Sequence, residues 1–565
     1  MADCPFNSAS ESIADFIYRY GSQQQFPGDL EDILCMDFVS TDFSIIYTPL
    51  DTVKPISLSK FTYYSIPGLY TLLDSTSMEA SGILAAHASP ALSNRGRGVI
   101  IGIIDTGIDY TNPLFRNQDG TTRIISIWDQ SLPDDKSDLP VGVPNRYNAS
   151  GATYGTEYTR EQINEALESD NPLTLVPSTD INGHGTFLAG IAAGGVLPEQ
   201  DFTGAAPECE LIIVKLKPAK QYLRDFYLVS RDTDVYQEND IMMGIKYLRV
   251  EAFSQRKPLV ILLGIGSNLG SHEGTSPLNV MIQDVSRYLG MATVIAAGNE
   301  TGRGHHYMGS IPMGESSIDV ELQVGNPESQ RGFVVELWAG TADTYSVGFI
   351  SPSGESISRI PIIGRNETSV PFLLEPTVIT VNYQLIEPGA GKQLVFIRFE
   401  APTKGIWKIR VYKTQYLTGQ FNMWLPAQNL ISDETAFLVP SPYTTITLPG
   451  DSPSPITVGA YNHFNNSIYI HSGRGYTIGG LIKPDLAAPG VDISGPSIGF
   501  RNGGSIPMTT RTGTSVAAAH VAGAVANLLS WGIVEGHDIT MSEASIKAFL
   551  IRGAKSPPPV KRVAR

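Results

Sequence analysis

Val99-Ile100-Ile101-Gly102-Ile103-Ile104-Asp105-Thr106-Gly107 is a continuous apolar run that delivers one carboxylate into a glycine turn. A run this short, apolar on both faces and closed by glycine, predicts a strand buried inside a parallel sheet. Residues 211–216, 259–263 and 292–297 have the same texture. Helical patterns fall between them, at 240–252 and 279–289. Buried strands alternating with helices predict an α/β core, a parallel sheet flanked by helices.

Working outward, the chain changes texture on both sides of that core. Residues 1–77 predict a small α+β unit, with an amphipathic helix over 10–17 and a strand over 42–47. In residues 305–450, apolar runs at 332–338, 378–383, 394–399 and 407–412 alternate with Gly, Pro and Asn turns. Helical periodicity is absent there, which predicts an inserted all-β sandwich. The α/β texture then resumes, with a small-residue helix from Thr514 and an amphipathic helix near 542–551. The expected division is 1–77, then core residues 78–304, the insertion 305–450, core residues 451–553, and a disordered tail 554–565.

Composition narrows the function. The 565 residues carry 40 Lys and Arg against 56 Asp and Glu, a net charge of −16. That balance argues against a nucleic-acid or anionic-membrane binder, both of which need basic patches. Three cysteines (Cys4, Cys35, Cys209) predict no disulfide framework, with Cys209 a half-buried thiol near a turn. No apolar stretch approaches the roughly 20 residues of a membrane span. The N-terminus lacks the basic and apolar regions of a secretory signal, so a cytoplasmic location is expected.

Three segments carry chemistry. Asp105 stands in Asp-Thr-Gly; His184 stands in Asn182-Gly183-His184-Gly185-Thr186; Ser515 stands in Gly513-Thr514-Ser515, ahead of a small-residue helix. A hydroxyl nucleophile needs a base beside it and an acid that orients the base, and these three supply that set. Asp-Thr-Gly also occurs in aspartic proteases, but those need a second carboxylate to share a proton, and no second such motif is present. Taken alone, Asp105 is also explained as a turn residue and Ser515 as a helix cap. Asn299, in Ala297-Gly298-Asn299 after a buried strand, suits an oxyanion hole because it donates without adding charge. The Ser515 amide, unpaired at a helix start, would be the second donor. Gly264-Ile265-Gly266 is expected to line a substrate groove with Ala297 and Gly298. His520 reads as a packing histidine, and His305-His306 has no neighbouring ligand spacing that would suggest a metal.

Asp-Thr-Gly, Gly-His-Gly-Thr, Ala-Gly-Asn and Gly-Thr-Ser in this order resemble the subtilisin-like serine proteases (subtilases, peptidase S8), as does Lys483-Pro-Asp-Leu-Ala-Ala-Pro-Gly490. Within that family the chain is most similar to the clostridial Csp-type germination proteases. Tyr154-Gly-Thr-Glu-Tyr-Thr-Arg-Glu-Gln-Ile-Asn164 is similar to that group too. The resemblance implies a subtilisin-like α/β fold, an N-terminal prodomain that inhibits and assists folding, and a jelly-roll insertion. It implies an endopeptidase with the triad Asp105, His184 and Ser515, acting on protein or peptide substrates and on its own prodomain. No cofactor is expected; structural calcium occurs in the superfamily, but no ligands are assigned. It also implies spore association and activation of a cortex-lytic zymogen during germination. A general intracellular peptidase, and a catalytically silent sensor or scaffold, are the alternatives. Two departures stand out: Ala519 replaces the usual Pro four residues after the serine, and the family's final Gly-Tyr-Gly segment gives way to a Pro run and basic tail.

Overall fold

The run at 100–105 is a strand near the middle of a nine-stranded sheet. Our computed structural model describes residues 8–21, 33–73, 95–133, 154–326, 331–340, 342–363, 367–415, 417–501 and 504–555. In spatial order the sheet runs Ser467–Ile468, Ile456–Asn462, Met291–Ala296, Leu259–Leu263, Ile100–Asp105, Glu210–Lys215, Ile124–Asp129, Thr156–Thr159. Leu486–Pro489 also pairs with Ile456–Asn462. The interior pairs are parallel, but Thr156–Thr159 and Ser467–Ile468 run antiparallel, so the sheet is mixed rather than all parallel.

Side chains alternate across the pleat. Ile101 and Ile103 face one core, with the His184–Ala193 and Thr514–Leu529 helices over them. Ile100 and Ile104 face the other, beneath Glu238–Gln255 and Pro277–Val285. Burial on both faces explains why the run shows no polar alternation. The helix Thr514–Val534 is, among the described residues, long and apolar enough to cross a membrane by length and composition. Its apolar residues are instead spent on the core between strands and the His184 helix.

The N-terminal part corrects one expectation. Residues 10–17 form no helix; Ile13–Arg19 is a strand paired antiparallel with Phe43–Pro49, beside Cys35–Phe38. Ile13 and Ile17 pack into the sheet core, whereas Ala14 and Phe16 pack on the other side. A strand buried on both faces places apolar residues at 13, 14, 16 and 17, which is also the spacing of a helix face. Cys35 is disulfide-bonded, a single bond and not the framework that the cysteine count argues against. Cys209 is a free thiol, fully rather than half buried, and burial pushes it up to about 12.

Between 306 and 437 every strand pairing is antiparallel, in a six-stranded and a five-stranded sheet packed around a common apolar core. The outer face of the six-stranded sheet supplies Val334, Trp338, Phe396 and Trp424 to a cluster with Phe61, Tyr63 and Tyr64. The first part of the chain is thereby wedged between this sheet and the α/β core. Of the expected tail, residues 556–565 lie outside the described residues.

Candidate active site

Parallel strands carry their C-terminal residues to one edge of the sheet, and Asp105 is the last residue of its strand. His184 opens its helix beside that edge, and its Nδ1 lies 2.7 Å from Asp105 Oδ1. Ser515, in the first turn of the Thr514–Leu529 helix, places Oγ 3.2 Å from His184 Nε2. All three side chains are buried. The structure thus brings together three residues that the sequence holds far apart.

Close approach dictates the glycines. A Cβ on Gly185 would lie 2.2 Å from the Gly107 carbonyl oxygen, so only glycine lets the histidine segment touch the aspartate turn. A Cβ on Gly264 would lie 2.5 Å from Leu188 Cδ1 and 3.0 Å from His184 Cε1. Gly264 therefore backs the imidazole instead of lining the groove.

Asp180 is a residue that the sequence reading missed. It accepts hydrogen bonds from Thr106 Oγ1, Gly183 N, Thr186 N and Thr186 Oγ1, all at 2.7–2.8 Å. Thr106 Oγ1 in turn accepts from Gly185 N at 2.9 Å. One buried carboxylate so ties the aspartate turn to the N-terminus of the histidine helix, where it also complements the helix dipole. An acidic residue just ahead of a helix start was the available signal.

Asn299 follows the Met291–Ala296 strand and points its amide at the serine. Its Oδ1 accepts from both the N–H and the hydroxyl of Thr514 at 3.1 Å, which fixes the flip so that Nδ2 donates outward. Nδ2 donates to the Leu73 carbonyl at 2.7 Å, and Ser515 Oγ donates to the same oxygen at 3.0 Å. Ala297 and Gly298 were expected to bind substrate. Their backbone groups bond Val458, Thr447, Thr514 and Gly473 instead, and so support Asn299 from behind.

Leu73 follows directly on a strand, Leu69–Leu72, that runs through this cleft. Leu72 and Thr71 pair antiparallel with Ile265 and Gly266, and Leu69 and Tyr70 pair with Gln237 and Tyr236 on the other side. Ile265 and Gly266 therefore hold the expected place along an extended chain. Every side chain from Leu69 to Leu73 is buried. Upstream, Asp15 anchors the same unit: Lys220 Nζ lies 2.6 Å from its carboxylate, Gln237 donates to it at 2.6 Å, and the Tyr222 hydroxyl bonds its backbone. Burial lowers the Lys220 ammonium, and the Asp15 charge opposes that shift.

The three other histidines weighed in the sequence are committed elsewhere. His520 Nδ1 bonds the Val516 carbonyl in a buried position, as a packing residue does. His305 pairs with Glu300 at 2.6 Å, and His306 bridges Tyr443 and Asn422 while stacked on Trp424. Among the described residues no group of three His, Cys, Asp or Glu side chains is placed to hold a metal ion.

The sequence profile described as the subtilase family, Peptidase_S8, matches residues 96–358 and 440–563, more than half of the chain. The structure is similar to that of the CspB protease of Clostridium perfringens. The two are 31% identical with a TM-score of 0.70, covering 85% of this chain and 93% of that one. Among curated proteins, the PII-type proteinase of Lacticaseibacillus paracasei is 23% identical over 57% of this chain and 15% of its own length. The subtilisin-like protease SBT3.10 of Arabidopsis thaliana is 24% identical over 82% of this chain and 59% of its own. This chain thus spans less than two thirds of those two relatives. With a profile match of that extent and a neighbour of that identity, the chain belongs to the subtilase family, whose members are serine endopeptidases.

Proposed function

We propose that this chain is a serine endopeptidase whose first substrate is its own Leu73–Asp74 bond. Ser515 would attack the scissile carbonyl while His184 takes its proton and returns it to the leaving amine. Asp105 would hold the imidazole tautomer and stabilise the imidazolium. Asn299 Nδ2 and the Ser515 amide would bind the oxyanion, each donor being worth about 2.7–4 kcal/mol in such sites. The Leu73 carbonyl carries this reading, since it accepts from both Asn299 and Ser515. An extended strand paired on both sides is how a protease grips a peptide, through main-chain bonds with side chains seated alternately. In the sequence, the segment from about Leu72 to Glu79 is small, polar and without strand or helix periodicity, which places the cut between those residues; 74–79 lie outside the described residues.

On this reading residues 1–73 are a prodomain that stays seated after cleavage, and the sheets at 306–437 are an inserted jelly roll. The finer proposal, implied by the motif resemblance to the Csp-type germination proteases, is a cytoplasmic, spore-associated enzyme that activates a cortex-lytic zymogen during germination. Intact-mass analysis of the purified chain beside Ser515→Ala tests the core of the reading. Two fragments divided after Leu73 are expected from the first and one full-length species from the second. Cleavage in both would assign the cut to another protease. A chain that neither cleaves nor reacts with a fluorophosphonate would be the silent scaffold.

A further inference from the structure

At the edge of the sheet opposite Asp105, the described residues line a half-open cavity of about 890 Å³. Its walls come from the segments that lead into the parallel strands. Arg95 and Arg97 precede Ile100–Asp105, Arg123 precedes Ile124–Asp129, Glu208 and Glu210 stand at the start of Glu210–Lys215, and Lys257 precedes Leu259–Leu263. Asp105 closes a strand that these segments open, so at about 3.3 Å per residue the cavity lies roughly 20 Å from the triad. It is a separate place on the molecule.

The charge there runs against the rest of the chain. Among the described residues that line it, Arg95, Arg97, Arg116, Arg123, Arg160 and Lys257 stand against two carboxylates, Glu208 and Glu210, in a protein of net charge −16. Arg97 takes Glu208 at 2.6 Å, while Arg160 and Lys257 share the single carboxylate of Glu210. Burial pushes Glu210 up, but its hydrogen bonds to Lys257 and Arg160 win and hold it below the usual range, hence ionised. The Arg123 guanidinium is spent on the carbonyl oxygens of Cys209, Leu114 and Ala193, which satisfy its donors without neutralising its charge. Arg116 gives one N–H to the Thr111 carbonyl, and its Nε is buried with no partner. The Arg95 side chain makes no hydrogen bond or ion pair among the described residues. Desolvation lowers both the half-buried Arg116 and the buried Arg123, with the charge of Asp109 opposing the shift at the first and those of Glu208 and Glu210 opposing it at the second.

Guanidinium groups grip carboxylates and phosphates through paired N–H donors. Pro113, Leu114, Val196 and Leu197 add an apolar wall, and the volume falls in the range of small-molecule sites. We propose that this cavity binds a small organic polyanion, carrying two or more carboxylate or phosphate groups, with Arg95, Arg116, Arg160 and Lys257 as its counter-charges.

Titration calorimetry on the full chain carrying Ser515→Ala, which keeps a single species in solution, tests this. Pyrophosphate and citrate are the probes, at a constant ionic strength of about 0.15 M. Saturable one-to-one binding of either is expected, and the one bound tighter tells phosphate from carboxylate chemistry. Arg95→Glu is expected to weaken that binding about tenfold or more, as losing a charge-assisted bond does. Lys257→Gln provides a second, milder variant should the reversal disturb folding. No saturation by either anion at about 10 mM overturns the proposal. So does undiminished binding by both variants, or equal binding when chloride replaces the probe.

Discussion

Ser515→Ala and His184→Ala are each expected to remove most hydrolysis of a peptide substrate, with the double variant little worse, because the groups act as a unit. Losses that add would mean that His184 does not serve Ser515. Asn299→Ala is expected to lower kcat by about 100- to 1000-fold with little change in KM, since its amide counts most when charge develops on the oxygen. Thr514→Val removes the hydroxyl that fixes the Asn299 amide and is expected to give a weaker form of the same kinetic change. Equal kcat in Thr514→Val and the parent would show that the amide holds its orientation without that hydroxyl. The proposed catalytic set was legible because each member sits in a short motif whose glycines are forced by close contacts, as with Gly185 against Gly107. Asp180 was not, because its partners lie on two separate segments and a lone aspartate ahead of a helix is common.

Among the elements, strands buried on both faces were read correctly where Ile and Val filled them, and misread where alternation was masked. Ile13–Arg19 shows why: its two faces meet two different cores, and only pairing with Phe43–Pro49 settles the strand. That an extended segment near residues 72–79 suits the groove was legible from its lack of periodicity and from the prodomain the resemblance implies; the pairing of Leu69–Leu72 was not, since its partners at 236–237 and 265–266 lie far along the chain. Besides its strand pairing in the cleft, this first unit is held by the Asp15–Lys220 pair and by the aromatic cluster beneath the six-stranded sheet. Truncating one partner of a buried pair typically costs about 3–5 kcal/mol. Asp15→Ala in the cleaved protein is therefore expected to free residues 1–73 on size-exclusion chromatography, while the parent co-elutes with them. Co-elution of both proteins would shift the anchoring to the aromatic cluster, where Phe396→Ala is the matching test.

Across the whole molecule, several acids are sealed where water does not reach. Burial pushes Glu336 up to about 7, against hydrogen bonds from Tyr63, Trp338 and Gly270. An exposed glutamate in the unfolded chain titrates near 4.3, so between these values the folded chain holds a proton that the unfolded chain has released. The stability from this group is complete below about pH 4.3 and is lost as the pH rises through about 7. Glu238, Glu387 and Glu543, also raised to about 7, act in the same direction. Urea melts at about pH 5 and pH 8 are expected to show Glu336→Gln flattening part of that decline; an unchanged difference between the two pH values would mean that Glu336 is ionised throughout. The strand in the cleft has a consequence for how an assay of such a chain reads. While joined to the rest of the protein, Leu69–Leu73 is present at an effective concentration that a short tether sets in the millimolar range. Dilution does not lower that figure. The proposed cut should therefore follow first-order kinetics with one half-life at every protein concentration. A peptide added from outside competes with a neighbour that cannot diffuse away, and its observed turnover measures how often the seat empties.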